Sequence, residues 1–168
     1  MITRPKEVSS WLKHYISKVT EDSLIEGLKK QTQETLELLN SLSDEQLNYR
    51  YAEGKWTIRE IMVHLIDSER VFSYRALRFS RKDNTELPGY DQDLFVANSC
   101  SNERSLKSLL EEYIVVRTAN VALFSNLTDE MLDFRGRANG NEMSARELGF
   151  ATLGHEMHHI RVIRERYL

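Results

Sequence analysis

Cysteine, proline and glycine are all scarce in this chain. The one cysteine among 168 residues, Cys100, cannot close an intrachain disulfide. That excludes a disulfide-stapled secreted scaffold and fits a reducing cytoplasm. Two prolines and seven glycines leave few residues for tight turns, which argues for long helices. No run approaches the ~18 apolar residues of a spanning helix, and Met1 to Lys18 is charged throughout, so neither a membrane association nor a targeting segment is expected. A net charge of −3 gives no general attraction to nucleic acid or anionic lipid.

What is present suits a globule. Hydrophobic residues make up 40% and charged residues 29% of the chain, and its length fits one domain over residues 1–168 with a single unaided core. The chain also repeats itself. Leu42-Ser43-Asp44-Glu45-Gln46-Leu47-Asn48-Tyr49-Arg50 returns as Leu127-Thr128-Asp129-Glu130-Met131-Leu132-Asp133-Phe134-Arg135. After each copy comes a short loop and then a capping box, Thr57-Ile58-Arg59-Glu60 and Ser144-Ala145-Arg146-Glu147, each opening a helix. Two similar halves are implied.

Apolar periodicity predicts four long helices, over residues 22–41, 57–80, 102–126 and 144–167, and no strand. The third is expected to bury Leu106, Leu110, Tyr113, Val116, Leu123 and Leu127. Residues 82–101, containing Leu87-Pro88-Gly89-Tyr90, are long enough to cross the bundle, so the fold class is an all-α four-helix bundle with a long crossover connection. Residues 5–19 form a short extra helix in this reading. It, or a second subunit, would cover Phe150 and Met157, which face away from the core stripe of the last helix.

Three of the five histidines fall in His155-Glu156-Met157-His158-His159. On a helical wheel with Leu148 at zero, His155 and His159 lie at about −20° and about +20°, inside the apolar face, while His158 lies at its edge at about −80°. Two imidazoles pointing into a core need partners, and one metal ion satisfies both. His64, on the second long helix, is the natural third ligand. Three histidines leave coordination positions open for water or substrate, as in a reactive metal site. The alternative is a set of interior histidines satisfied by carboxylates or water. His14 and His158 read as surface or boundary residues.

His155 to His159 also fits H-E-x-x-H, the zinc-protease helix, but no third ligand follows and strands are missing. A di-iron bundle would need a second Glu-x-x-His, which is absent. Asp67, Glu60 and Glu156 lie within a turn of the histidines and could orient them; Glu60 is expected chiefly as a cap, and Glu156 as a solvated or outer carboxylate.

The segments Lys55-Trp56-Thr57-Ile58-Arg59-Glu60-Ile61-Met62-Val63-His64-Leu65-Ile66-Asp67, Arg70 to Phe79 and Gly154-His155-Glu156-Met157-His158-His159-Ile160, with Leu87-Pro88-Gly89-Tyr90-Asp91, resemble the DinB family, also called YfiT-like. The resemblance covers nearly the whole chain. It implies a four-helix bundle of unusual connectivity, often dimeric, with a divalent metal held by histidines at the positions of His64, His155 and His159. It further implies a metal-dependent hydrolase or a transferase of low-molecular-weight thiols such as bacillithiol.

The function expected from these readings is activation of water or a thiol by a divalent ion, with zinc first and nickel, iron, cobalt or copper also accommodated by three imidazoles. The competing class is a non-catalytic, metal-stabilised module that binds a small molecule or a protein. A small-molecule substrate or thiol and a second copy of the chain are the expected partners. Arg70, Arg75, Arg78, Arg81 and Lys82 on one helix, and Arg161, Arg164 and Arg166 on another, are the only hint of nucleic acid, and helix C-termini favour cations in any case.

Overall fold

Three of the four long helices begin at a hydroxyl residue that closes the first turn. The Thr57 and Ser144 side chains accept from the backbone N–H of Glu60 and Glu147, whose carboxylates accept from the cap N–H in return. Ser105 caps its helix through the N–H of Ser108. Such caps contribute about 1 kcal/mol each. The computed structural model describes Met1–Leu168. Its helices are α1 (Ser10–Ile16), α2 (Leu24–Asn40), α3 (Asp44–Asn48), α4 (Ile58–Ser80), α5 (Gln92–Ala97), α6 (Leu106–Ser125), α7 (Asp129–Asp133) and α8 (Ala145–Arg166). None is long and apolar enough to cross a membrane.

The four long helices, α2, α4, α6 and α8, form the bundle. Both α2 and α4 pack against α6 and against α8, so the consecutive helices α2 and α4 stand diagonally opposed. Simple up-and-down packing would have made them neighbours. The internal repeat survives in three dimensions as paired contacts. Arg50 and Arg135 reach the N-terminal glutamates Glu60 and Glu147, while Arg59 and Arg146 reach back to Asp44 and Asp129 on the short helices α3 and α7.

The absence of strands is corrected. Arg135–Ala138 (β1) and Asn141–Ser144 (β2) form an antiparallel hairpin. Its turn, Asn139-Gly140, has φ of 51° and 71°, the positive pair that a two-residue hairpin turn requires. The backbone of Leu87 pairs along β1, donating to Arg137 O at 2.9 Å and accepting from Asn139 N at 2.9 Å. The hairpin thereby anchors the crossing segment, which also carries α5.

The expected face of the third helix is corrected as well. The buried positions of α6 are Leu109, Leu110, Tyr113, Arg117, Asn120 and Phe124, whereas Leu106, Val116 and Leu123 are only half-buried. Arg117 and Asn120 belong to a polar layer across the middle of the bundle. Arg117 uses all its donors: two on Glu69 (2.8 and 2.9 Å), one on Thr32 (2.9 Å), one on the Leu28 carbonyl (3.2 Å) and one on Glu156. Glu156 also accepts from Thr35 (2.6 Å) and Tyr113. This layer divides the apolar core in two. One cluster holds Leu24, Leu28, Phe72, Phe124 and Phe150; the other holds Leu39, Ile58, Leu65, Leu110 and Ile163.

Phe150 is fully buried in the same cluster as Leu12 and Ile16 of α1, so the N-terminal segment supplies the cover that its outward position required. Contact between α1 and α8 is intimate: a Cβ on Gly154 would stand 2.1 Å from the carbonyl oxygen of Tyr15. Only glycine lets these two backbones approach so closely.

Candidate metal centre

α4 carries His64, and α8 carries His155 and His159 one turn apart. Packing of α4 on α8 brings the three together. The Nε2 of His155 lies 2.9 Å from Nε2 of His64 and 3.1 Å from Nε2 of His159. One nitrogen from each ring falls within 4.8 Å of the other two. His64 and His155 are 4% and 5% exposed, and His159 is half-buried. An imidazole Nε2 carries one proton or one lone pair, so His155 can hydrogen-bond one neighbour but not both. A single cation satisfies all three, and this donor set fits a divalent metal of the borderline type.

The electrostatics favour the ligating form. Burial pushes the His64 pKa down to about 4 and that of His159 to about 3. His155 falls well below the ordinary value, first by burial and then through His159 and His64. Neutral rings with free lone pairs at physiological pH are what a metal ion needs. Aromatic neighbours fix their orientation. Trp56 lies against His64 with centroids 4.8 Å apart, and Tyr15 of α1 stands edge-on to His155 at 4.9 Å.

The carboxylates expected beside the rings are engaged elsewhere. Glu60 closes the α4 capping box and pairs with Arg50, and Asp67 pairs with Arg70. The reading of Glu156 as a solvated or outer carboxylate at the metal is corrected: it is 2% exposed and bound to Arg117, Thr35 and Tyr113 in the polar layer. Nearest-neighbour position on α8 suggested a role at the site, but side chains one residue apart on a helix point about 100° apart. His158 is half-buried and its Nδ1 has no hydrogen-bond partner, while His14 is exposed.

Two cavities reach the histidine cluster. One of about 130 Å³ reaches His64 and His155 and is lined also by Trp11, Phe72, Arg75 and Tyr90. The other, about 330 Å³, reaches His158 and His159 past Tyr51 and Trp56. A further cavity, about 680 Å³, lies beside Met1, Ile25 and Leu127 and contains no histidine. Sequence reasoning missed Trp11, Tyr15 and Tyr90 as site walls, because they come from α1 and from the crossing segment, whose packing no local pattern encodes.

Residues 28–163 match the model of the DinB superfamily. A protein of Oceanobacillus iheyensis named "Putative metal-dependent hydrolase" is 34% identical over 158 residues, covering 88% of this chain and 87% of its own length. YfiT from Bacillus subtilis, described as a probable metal-dependent hydrolase with an unusual four-helix bundle topology, superposes with a TM-score of 0.72 over 97% of this chain and 90% of its own, at 20% identity. That last likeness is one of fold.

Proposed function

The chain belongs to the DinB superfamily, and on that footing we propose that it is a metal-dependent enzyme in which His64, His155 and His159 hold a divalent ion that activates water or a low-molecular-weight thiol. The supporting observation is the convergence of three neutral Nε2 atoms around one point, beside cavities that a small molecule can enter. When bound, such an ion keeps a coordination position open and lowers the pKa of a water or thiol placed there, giving a nucleophile at neutral pH. The protein's own residues do the rest. The imidazoles hold the ion in neutral form, Trp56 and Tyr15 keep the rings in place, and Phe72 and Trp11 keep part of the approach apolar. Hydrolysis, in keeping with the name of the Oceanobacillus relative, and thiol transfer of the bacillithiol type draw on the same site. Zinc is the first choice of ion, and nickel, iron, cobalt and copper suit the same donors.

One observation favours a second reading, a metal-stabilised binding module without turnover: no carboxylate hydrogen-bonds any of the three imidazoles, and Glu60, Asp67 and Glu156 are each paired with an arginine. The discriminating experiment measures thiol consumption against a panel of electrophiles, and product release from a panel of esters and amides, with zinc-loaded and metal-stripped protein. Metal-dependent turnover on either panel supports the enzyme. No turnover on both overturns it in favour of the module.

A further inference from the structure

Four arginines are buried in this fold, and three of them lie against carboxylates. Arg59 pairs with Asp44, Arg117 with Glu69 and Glu156, and Arg146 with Asp129 and Asp133. Arg75, 2% exposed, has no acidic partner. Its Nη2 donates to the Pro88 carbonyl at 2.8 Å, its Nη1 donates to nothing, and the Tyr90 phenol is the titratable group beside it. A guanidinium remains charged at any physiological pH, and burying one without a counter-anion is unfavourable. Within the chain its charge is left without a counter-anion.

Its position says what would supply one. Arg75 follows His64 by eleven residues on α4, which places it about 20° around the helix and about 16 Å further along. Helical side chains lean towards the N-terminus, so its head reaches back towards His64, past Phe72 and Ser68. Arg75, His64 and His155 line the same 130 Å³ cavity, and no aspartate or glutamate lines it. The roof over Arg75 is firmly placed. Leu87 is pinned to β1, a Cβ on Gly89 would stand 2.5 Å from Asn139 Oδ1, and the Tyr90 hydroxyl bonds the Ser68 hydroxyl at 2.9 Å.

We propose that Arg75 is the anion-recognition residue of this cavity: the substrate or co-substrate carries an oxyanion, carboxylate or phosphate, received by the Arg75 guanidinium, with its reacting end about 10 Å away at the three imidazoles. The proposal rests on the reading of those imidazoles as the reaction centre. It selects an elongated, anionic small molecule over a neutral one.

The test is a titration of cobalt-loaded protein with two thiols of equal length, 6-mercaptohexanoic acid and 6-mercapto-1-hexanol, followed by the visible spectrum of the ion. The wild-type protein binds the acid about tenfold or more tightly than the alcohol. Arg75→Met abolishes that preference with alcohol affinity unchanged, and Arg75→Lys keeps part of it; thermal melts confirm that each variant is folded. Equal affinities in the wild type, or a preference intact in Arg75→Met, overturn the proposal. If neither thiol alters the cobalt spectrum, the reading of the metal site as a thiol activator fails, and Arg75 is decided separately. Metal-free protein is then titrated with malonate while the Arg75 Nε–Hε resonance is followed by NMR. A saturable shift supports the anion site and no shift overturns it.

Discussion

The Nε2 atoms of His64 and His155 stand 2.9 Å apart although 91 residues separate them in the chain. Nothing but the packing of α4 on α8 brings them together, and His159 reaches the same His155 nitrogen from the next turn. Replacing any of the three by alanine is expected to lower zinc affinity by more than the 10- to 100-fold typical of losing an outer-shell partner. His158→Ala is expected to leave it within a few-fold. Elemental analysis after dialysis against a graded chelator series measures this, and undiminished zinc in His64→Ala would count against a three-ligand centre.

Acid should destabilise the metal-free protein before its carboxylates titrate. His64 and His159 have folded pKa values near 4 and 3, below the ordinary 6.5, because burial penalises the charged ring. Well above pH 6.5 both folded and unfolded forms are neutral, and these rings contribute no pH dependence. As the pH falls below 6.5 the unfolded chain takes up protons that the folded one does not, so stability drops continuously towards pH 4. The clean window is pH 6.5 to about 5, above the carboxylate range. Thermal melts across that window should slope downward, and the double variant His64→Gln/His159→Gln should make the slope shallower, leaving the share that His155 contributes.

Arg117 neutralises Glu69 and Glu156 at the centre of the bundle. Arg117→Met strands both carboxylates in the interior and is expected to cost about 3 to 5 kcal/mol in urea denaturation. Glu156→Gln keeps the hydrogen bonds from Thr35 and Tyr113 and is expected to cost less. It should leave zinc stoichiometry unchanged, since Glu156 points away from the three imidazoles. Loss of zinc in Glu156→Gln would place that carboxylate at the metal after all.

Gly154→Ala puts a methyl group 2.1 Å from the Tyr15 carbonyl. The α1 segment must move off α8, at an expected cost of about 1 to 3 kcal/mol. Because Tyr15 and Trp11 line the site, limited proteolysis should also release the first residues faster than in the wild-type protein. An unchanged digestion pattern would mean that α1 contributes little to closing the cavity.

Much of this was legible where the signal is local. The boxes at Thr57 and Ser144, the repeat of Leu42–Arg50 in Leu127–Arg135 and the i, i+4 pair His155/His159 each occupy a few consecutive residues, and the helices form where these signals place them. Asn139-Gly140 is an equally local hairpin signal, but the charged Arg135, Arg137 and Glu142 around it broke the apolar alternation expected of strands. The face of α6 was misread for a different reason. Its buried positions include Arg117 and Asn120, whose burial is intelligible only with Glu69 and Glu156 supplied by other helices. The same dependence on remote partners hid the roles of Glu156, Trp11 and Tyr90.

The polar layer also bears on how the sequence can drift. Leucine against leucine tolerates a helix sliding by a turn, because one greasy contact resembles another. Arg117 does not: with every donor committed to a fixed acceptor, a shift of one turn in any of the four rods would strand a charge in oil. The layer therefore acts as a vernier for the assembly, holding the longitudinal alignment of α4 and α8 on which the meeting of His64 with His155 depends, while the apolar blocks above and below remain free to exchange side chains.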